Sequence, residues 1–212
     1  MFSYDVSLEI PEEVGAILLP NSTLFPHGAL PLQIFEDRYR SMLTDALEGD
    51  CLFCVGNLIS EEAPGDLAGC VAPVGTIGLI RSSRELPDGR SHLVLHGILR
   101  VHFVKWLEAW PYPKAHIAPL VSERLPDDER PLYLARLQKT LSLVLENFEP
   151  AVRSKLQALI DKASDLEIIV DIVAQQFVHD DEIRQLLLEE TELKGRITTI
   201  CDYLRSELPG AN

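Results

Sequence analysis

The fold of this chain is decided by residues 24–42, which read LFPHGALPLQIFEDRYRSM. An apolar segment punctuated by proline and glycine changes there into a segment with helical periodicity. The apolar positions of that second segment have the i, i+4, i+7, i+8 spacing of one helix face, and they are Phe35, Tyr39, Met42 and Leu43. The pattern predicts a strand followed by an amphipathic helix over 35–47, whose apolar face docks on a sheet.

Short apolar runs separated by proline and glycine continue to about residue 120, and they predict strands. The runs are Ile17–Leu19, Leu52–Val55, Val74–Ile80, Leu93–Leu95 and Leu99–Trp106. Pro87 and Gly89 form a turn signal, because proline pre-sets φ and glycine supplies a positive φ. We therefore expect a hairpin that pairs Ile77–Ser82 with Ser91–Leu95, and an interruption of the second strand at Gly97.

The apolar period becomes helical beyond the polar segment 121–130, with Pro131 in the first helical turn. Four helices are predicted. The first contains Leu134, Leu137, Leu141, Val144 or Leu145, and Phe148, and the second contains Val152, Leu156, Leu159 and Ile160. A capping box of Ser164 and Glu167 opens the third, which contains Leu166, Ile169, Val170, Val173 and Phe177. The fourth begins at Asp180 or Asp181 and could run unbroken to Leu208, with a bend or a close helix contact at Gly195. The fold class is α+β, with a β-rich subdomain over 1–120 and a helical subdomain over 121–212.

Residues 24–42 closely resemble the opening motif of the Lon N-terminal domain, the substrate-binding domain of Lon-type ATP-dependent proteases. Three further segments resemble that family in the same order, namely 45–56, 69–78 and 86–101. The resemblance is specific over about residues 17–120. It implies an N-terminal β-rich pseudo-barrel of PUA-like type with one or two helices, followed by a C-terminal helical bundle, and a role in recognising protein substrates.

The charge balance bears on possible partners. The chain has 33 acidic residues against 19 lysines and arginines, a net charge of −14. Such a surface repels a phosphate backbone and an anionic membrane alike, so we expect neither nucleic acid nor membrane as a partner. The acidic N-terminus, the short apolar runs and four cysteines without a secretory signal predict a cytoplasmic protein with reduced thiols.

Motifs for catalysis and metal binding are weak in this sequence. It contains neither the phosphate loop of the Lon ATPase nor a Gly-x-Ser-x-Gly elbow. Cys51 and Cys54 form a C-x-x-C, but residues i and i+3 of a strand point to opposite faces. His92, His96 and His102 share strand parity, which the predicted break at Gly97 would interrupt. We therefore expect no catalytic residue, no metal, no cofactor and no enzymatic activity.

Two sets of residues are candidates for binding. Trp106, Trp110 and Tyr112 share strand parity beside prolines, which is typical of a sheet edge or a strand crossing that could hold an extended peptide. The second set is Leu24, Phe25 and Pro26. Core packing is the favoured explanation of the aromatic set, and it explains the second set as well as binding does. The hypothesis is a stand-alone, non-catalytic module that binds unfolded or exposed apolar protein segments in a groove between the β-rich part and the helices.

Two other functions stay open at this point. The near-heptad spacing of Leu186, Leu193, Ile197, Ile200 and Leu204 suggests an adaptor that associates with Lon protease or with a second copy, although packing within one chain explains the same pattern. The PUA-like resemblance suggests RNA binding. The acidic balance and the lack of a lysine- and arginine-rich stripe with interleaved aromatics argue against RNA.

Overall fold

The computed structural model of the chain describes residues 9–60, 67–108, 110–147, 149–151, 153–154, 157–158 and 165–208. Within these residues lie six strands: β1 (Glu13–Pro20), β2 (Ala29–Ile34), β3 (Leu52–Leu58), β4 (Val74–Glu85), β5 (Ser91–Leu107) and β6 (Lys114–Pro119). The described helices are α1 (Asp37–Glu48), α2 (Arg130–Leu145), α3 (Leu166–Phe177), α4 (Asp181–Glu189) and α5 (Leu193–Ser206). Phe148, Ser164 and the predicted helix of Val152, Leu156, Leu159 and Ile160 lie outside the described residues.

The six strands form one mixed sheet in the order β2-β5-β4-β3-β1-β6. β1 and β3 are parallel, and the other pairs are antiparallel. The long strand β5 pairs with β2 and β4 in its first half and continues to pair with β6. Within the described part of the chain β2 pairs with β5 alone, so the sheet keeps a free edge. The pairing of β6 with both β1 and β5 closes a ring of five strands, β1, β3, β4, β5 and β6, and β2 adds to β5 outside that ring. The fold is mixed α+β as predicted, but the six-stranded sheet, with its free edge at β2, is not itself a closed barrel.

The β4–β5 hairpin is confirmed, but its predicted register and the predicted break at Gly97 are wrong. Ile77–Ser82 pairs with Val94–Leu99 instead of Ser91–Leu95, because β4 continues to Glu85 before the turn. Ser82 lies opposite Val94, Glu85 lies opposite Ser91, and Gly89 has a φ of 80°. β5 runs through Gly97 with only a register shift there. A Cβ on Gly97 would lie 2.2 Å from the carbonyl oxygen of Phe25, so this glycine permits close backbone approach rather than ending the strand.

α1 docks on the sheet through three of the four predicted residues. Tyr39, Met42 and Leu43 are buried, and the Tyr39 hydroxyl hydrogen bonds with the backbone of Leu18. Phe35 is the exception. It precedes the helix, whose N-cap is Glu36, and its side chain is 62% exposed. The helical face therefore begins one turn later than the spacing of apolar residues indicated.

The C-terminal helices differ from the prediction at two points. Asp165, and not the predicted Ser164, is the N-cap of α3 and accepts from the backbone N–H of Glu167, and the Glu167 carboxylate accepts from Arg196. The predicted long helix is two helices, because the chain between α4 and α5 is held by the segment before α2. There the N–H of Glu123 donates to the Thr191 carbonyl at 2.9 Å, and the N–H of Leu193 donates to the Glu123 carbonyl at 3.4 Å. A bend at Gly195 is therefore not what interrupts this segment.

The helices and one side of the sheet share a buried core. The cluster contains Phe25 and Val74 of the β-rich part together with helical residues, among them Leu137, Leu141, Leu166, Val173, Leu193, Ile197, Ile200 and Leu204. Packing within the chain therefore accounts for most of the near-heptad pattern, and Leu186 alone of that set is strongly exposed. The helices pack on the sheet as well as on each other, and the division at residue 120 stays a prediction. None of the described helices is long and apolar enough to cross a membrane.

Candidate functional site

The loop that carries Leu24, Phe25 and Pro26 lies in the core. All three side chains are buried, and Leu24 and Phe25 are 1% and 0% exposed. Two polar side chains from the helices hold the loop backbone. Gln175 accepts from the N–H of Phe25 at 3.0 Å, and Arg184 donates to the Thr23 carbonyl at 2.6 Å. The loop thus joins the sheet to α3 and α4, and it presents no surface at these three residues.

The structure does not bring Trp106, Trp110 and Tyr112 together as one aromatic cluster. Trp106 is half-buried against Phe103, with ring centroids 4.7 Å apart. Tyr112 is buried and its hydroxyl donates to the Asp45 carboxylate of α1 at 2.6 Å. Trp110, between β5 and β6, is 92% exposed. Of the six predicted binding residues it offers the largest exposed apolar surface.

A buried network of charges joins the two halves of the chain, and sequence reasoning missed it. Arg100 of β5 donates to both carboxylate oxygens of Asp171 of α3, at 2.9 and 2.5 Å. Arg196 of α5 donates to Asp171 at 3.2 Å and to Glu167 at 3.0 Å. The side chains of Arg100, Asp171 and Arg196 are at most 3% exposed. Two guanidinium groups thus balance two carboxylates where the sheet meets the helices.

The network also sets the protonation of Glu167. Desolvation alone would raise the pKa of this carboxyl, but hydrogen bonds from Ser122 and Arg196 outweigh it, so the pKa is lowered from its ordinary value. The sequence carries a faint signal of the network. Arg100 stands between Leu99 and Val101, and Asp171 stands between Val170 and Ile172, so each charge interrupts an apolar run. Their spacing of 71 residues gives no local pattern that would pair them.

A cleft of about 860 Å³ separates α1 from the β4–β5 hairpin. We call it the α1 cleft. Its lining combines hydroxyl groups, two arginines and a few apolar side chains, and it includes Arg40, Ser41, Thr44, Leu47, Arg81, Ser83 and Glu85. Leu47 is 45% exposed. Arg40 is paired with Asp37 at 3.3 Å. The cleft is therefore a mixed polar surface with room for a polypeptide segment.

A second concavity, of about 440 Å³, lies over β2, β5 and β4. Strand register places nine side chains on this face, because directly opposite residues of antiparallel strands point the same way. They are Ala29, Pro31 and Gln33 of β2, His92, Val94 and His96 of β5, and Leu79, Ser82 and Arg84 of β4. We call this surface the outer hairpin face. The alternate residues Leu93 and Leu95 point the other way and pack with α1.

The cysteine and histidine motifs do not form a metal site in the described part of the chain. No group of three or more His, Cys, Asp or Glu side chains there is arranged to hold a metal ion. Cys54 is fully buried, and burial raises the pKa of its thiol, which keeps it protonated and unreactive. His96 has a lowered pKa because of burial and the nearby charges of Arg81 and His27.

Curated proteins similar to this chain are Lon proteases. The Lon protease of Desulfosudis oleivorans is 25% identical over 205 residues, covering 94% of this chain and 24% of that protein. The Lon protease of Anaeromyxobacter dehalogenans is 25% identical over 198 residues, covering 92% of this chain and 23% of that protein. The chain thus spans about a quarter of the length of the relatives that it matches.

Solved structures support the same fold. The N-terminal domain of the Mycobacterium avium complex Lon protease superposes on this chain with a TM-score of 0.71 at 13% sequence identity. The superposition covers 92% of this chain and 100% of that domain. The Lon N-terminal domain protein from Xanthomonas campestris superposes with a TM-score of 0.59 at 18% sequence identity, covering 93% of this chain and 99% of that protein.

The family model of the ATP-dependent protease La (LON) substrate-binding domain matches residues 13–206. The chain therefore belongs to the family of Lon substrate-binding domains.

Proposed function

We propose that this chain binds segments of other proteins and carries out no chemistry itself. The observation that supports the proposal is the family match over residues 13–206, which spans nearly all of the described structure. The bound segments are unfolded or exposed apolar stretches, and the protein works in the cytoplasm. Association with Lon protease or with a second copy is a separate proposal, whose sequence argument is weakened by the burial of Leu193, Ile197, Ile200 and Leu204.

Trp110 is the first residue to which we assign a contact with substrate. A tryptophan side chain buries roughly 150–250 Å² when it is covered, and tryptophan is enriched among the residues that dominate binding energy. Its 92% exposure leaves that area open to solvent in the free protein. Trp106 and Tyr112 would support the loop from either side, since Tyr112 is tied to Asp45 of α1.

The role of Leu24, Phe25 and Pro26 in this proposal is to hold the loop between sheet and helices. The cation of Arg184 lies 5.2 Å from the centroid of the Phe25 ring, in addition to its bond with the Thr23 carbonyl. A direct contact with substrate would require the loop to leave α3 and α4 and would break these bonds. Trp110 needs no such movement.

The test is binding of a permanently unfolded protein, such as reduced and carboxymethylated α-lactalbumin carrying a fluorescent label. We expect saturable binding by the intact chain and weaker binding by Trp110→Ser. The matched control is Leu132→Ser, because Leu132 is also exposed, at 70%, but lies on α2. Binding no stronger than that of an unrelated acidic protein would refute the function. Equal binding by Trp110→Ser and the unchanged chain would refute the assignment of Trp110.

A further inference from the structure

The outer hairpin face has the opposite charge to the protein as a whole. The chain carries a net charge of −14, yet the nine positions of this face include Arg84, His92 and His96 and no acidic residue. Two more basic residues lie beside them. Arg81 and His27 are both exposed and near enough to His96 to act on it electrostatically. Burial and the nearby Arg81 and His27 lower the pKa of His96, so the positive charge at this surface comes mainly from Arg84 and Arg81, and it is a local cationic surface on an acidic protein.

The arginines of this surface are available for a ligand. Elsewhere in this corner of the fold arginines are paired with carboxylates, as in Arg38 with Glu36 at 2.9 Å and Arg90 with Asp88 at 2.6 Å. Arg81 and Arg84 have no ion pair or side-chain hydrogen bond among the described residues. Unpaired guanidinium groups bind carboxylates well, because their planar fork matches both oxygens.

The shape of the surface favours an extended segment that lies across it. The cavity of about 440 Å³ has apolar side chains at its centre, where Pro31 lies opposite Val94 and Val94 is 36% exposed. The free edge of β2 is less suited to bind a segment as an added strand. Pro31 has no N–H to donate there, and proline on an edge strand opposes pairing with another strand.

We propose that the outer hairpin face binds acidic, extended segments of protein substrates, with Arg84 contacting a carboxylate and the Pro31–Val94 centre taking an apolar side chain, while Arg81, which lines the neighbouring α1 cleft, adds positive charge beside the face. This inference rests on the proposed function and gives the chemical class of the bound segment. Opposite charge raises the rate of encounter and selects among partners, and it does so less at high salt. An acidic substrate would otherwise be repelled by the rest of the surface.

The test uses two fluorescein-labelled peptides of equal length and equal apolar content, one rich in Asp and Glu and the other with Asn and Gln in their place. Fluorescence anisotropy gives both affinities at low and high salt. We expect the acidic peptide to bind more tightly, and Arg84→Glu to weaken its binding about tenfold without affecting the amide peptide. Lys139→Glu is the control, because it makes the same change of charge at an exposed site on α2.

The possible failures are distinguishable. If the two peptides bind equally and Arg84→Glu changes neither, the inference is overturned while the proposed function stands. If neither peptide nor the unfolded protein binds, the proposed function itself has failed. If a labelled single-stranded oligonucleotide binds as tightly as the acidic peptide and shows the same loss in Arg84→Glu, the face is a general polyanion surface and its assignment to protein segments is overturned. Circular dichroism of each variant establishes that the fold is unchanged.

Discussion

Replacing Asp171 by Asn tests whether the buried charge network holds the sheet to the helices. Asn has nearly the same shape as Asp, so packing is kept while the negative charge is removed. Asp171 is the carboxylate that Arg100 and Arg196 share, with donors at 2.5 to 3.2 Å. Loss of the Asp171 charge leaves the two buried guanidinium groups with Glu167 as the remaining carboxylate of the network. Glu167 bonds Arg196 at 3.0 Å but lies 4.0 Å from Arg100.

The size of the effect follows from the burial of the network. Removing one partner of a buried ion pair costs about 3–5 kcal/mol, because the other charge stays desolvated without compensation. A protein of this size loses roughly 2–4 °C of melting temperature per kcal/mol, so Asp171→Asn should lower Tm by about 6–20 °C. Total stabilities of domains are about 5–15 kcal/mol, so the variant should still fold.

The assay is urea unfolding followed by tryptophan fluorescence and by circular dichroism. The control is Asp202→Asn, since Asp202 pairs with Arg136 at 3.0 Å but its side chain is 62% exposed. That change should cost less than about 1 kcal/mol. Adding Arg100→Met to Asp171→Asn removes one unpaired cation, so the double variant should be more stable than the sum of the two single effects predicts. A loss in Asp171→Asn no larger than in Asp202→Asn would refute this account.

Three further predictions concern other contacts. Gly97→Ala should lower stability by about 1–3 kcal/mol or more in thermal melts, because its Cβ would lie 2.2 Å from the Phe25 carbonyl oxygen; an unchanged melting temperature would contradict this. Desolvation and the hydrogen bond with Asp45 raise the pKa of Tyr112 from 10.0 to about 12. The protonated hydroxyl therefore stabilises the fold fully below pH 10.0, and this stabilisation is lost as the pH rises towards 12. Between pH 10 and 12 the free energy of unfolding, measured by urea titration, should therefore fall less in Tyr112→Phe than in the unchanged chain. Equal losses in the two proteins would contradict this role of the Tyr112 hydroxyl. The lowered pKa of Glu167 predicts a contribution that is present above its ordinary value of 4.5 and lost at lower pH, so Glu167→Gln should flatten the acid side of the same stability profile.

Local chemistry made parts of this fold readable from the sequence. The turn with Gly89 predicted the β4–β5 hairpin, and Pro131 marked the first turn of α2, because each acts through the φ angles and hydrogen bonds of its own neighbours. The periodic apolar residues of α3 were all found buried, from Leu166 to Phe177. Family membership was also predicted from sequence, and it is confirmed by the match over 13–206.

The candidate sites were less predictable. Sequence spacing grouped Trp106, Trp110 and Tyr112, but the chain leaves β5 after Leu107, so strand parity no longer orients the last two. Trp110 became exposed and Tyr112 became buried. The same limit applies to the break between α4 and α5, which depends on hydrogen bonds with Glu123, far away in the chain.

The family, the α+β class and the positions of several strands and helices follow from the sequence, because periodicity, turns and caps are interactions among residues near each other in the chain. Three arrangements come from tertiary packing alone: Arg100, Asp171 and Arg196 meet, Gly97 admits the loop of Phe25, and Arg84, His92 and His96 share one face. Those arrangements depend on strand register and on the docking of helices, which are set by the packing of the whole core.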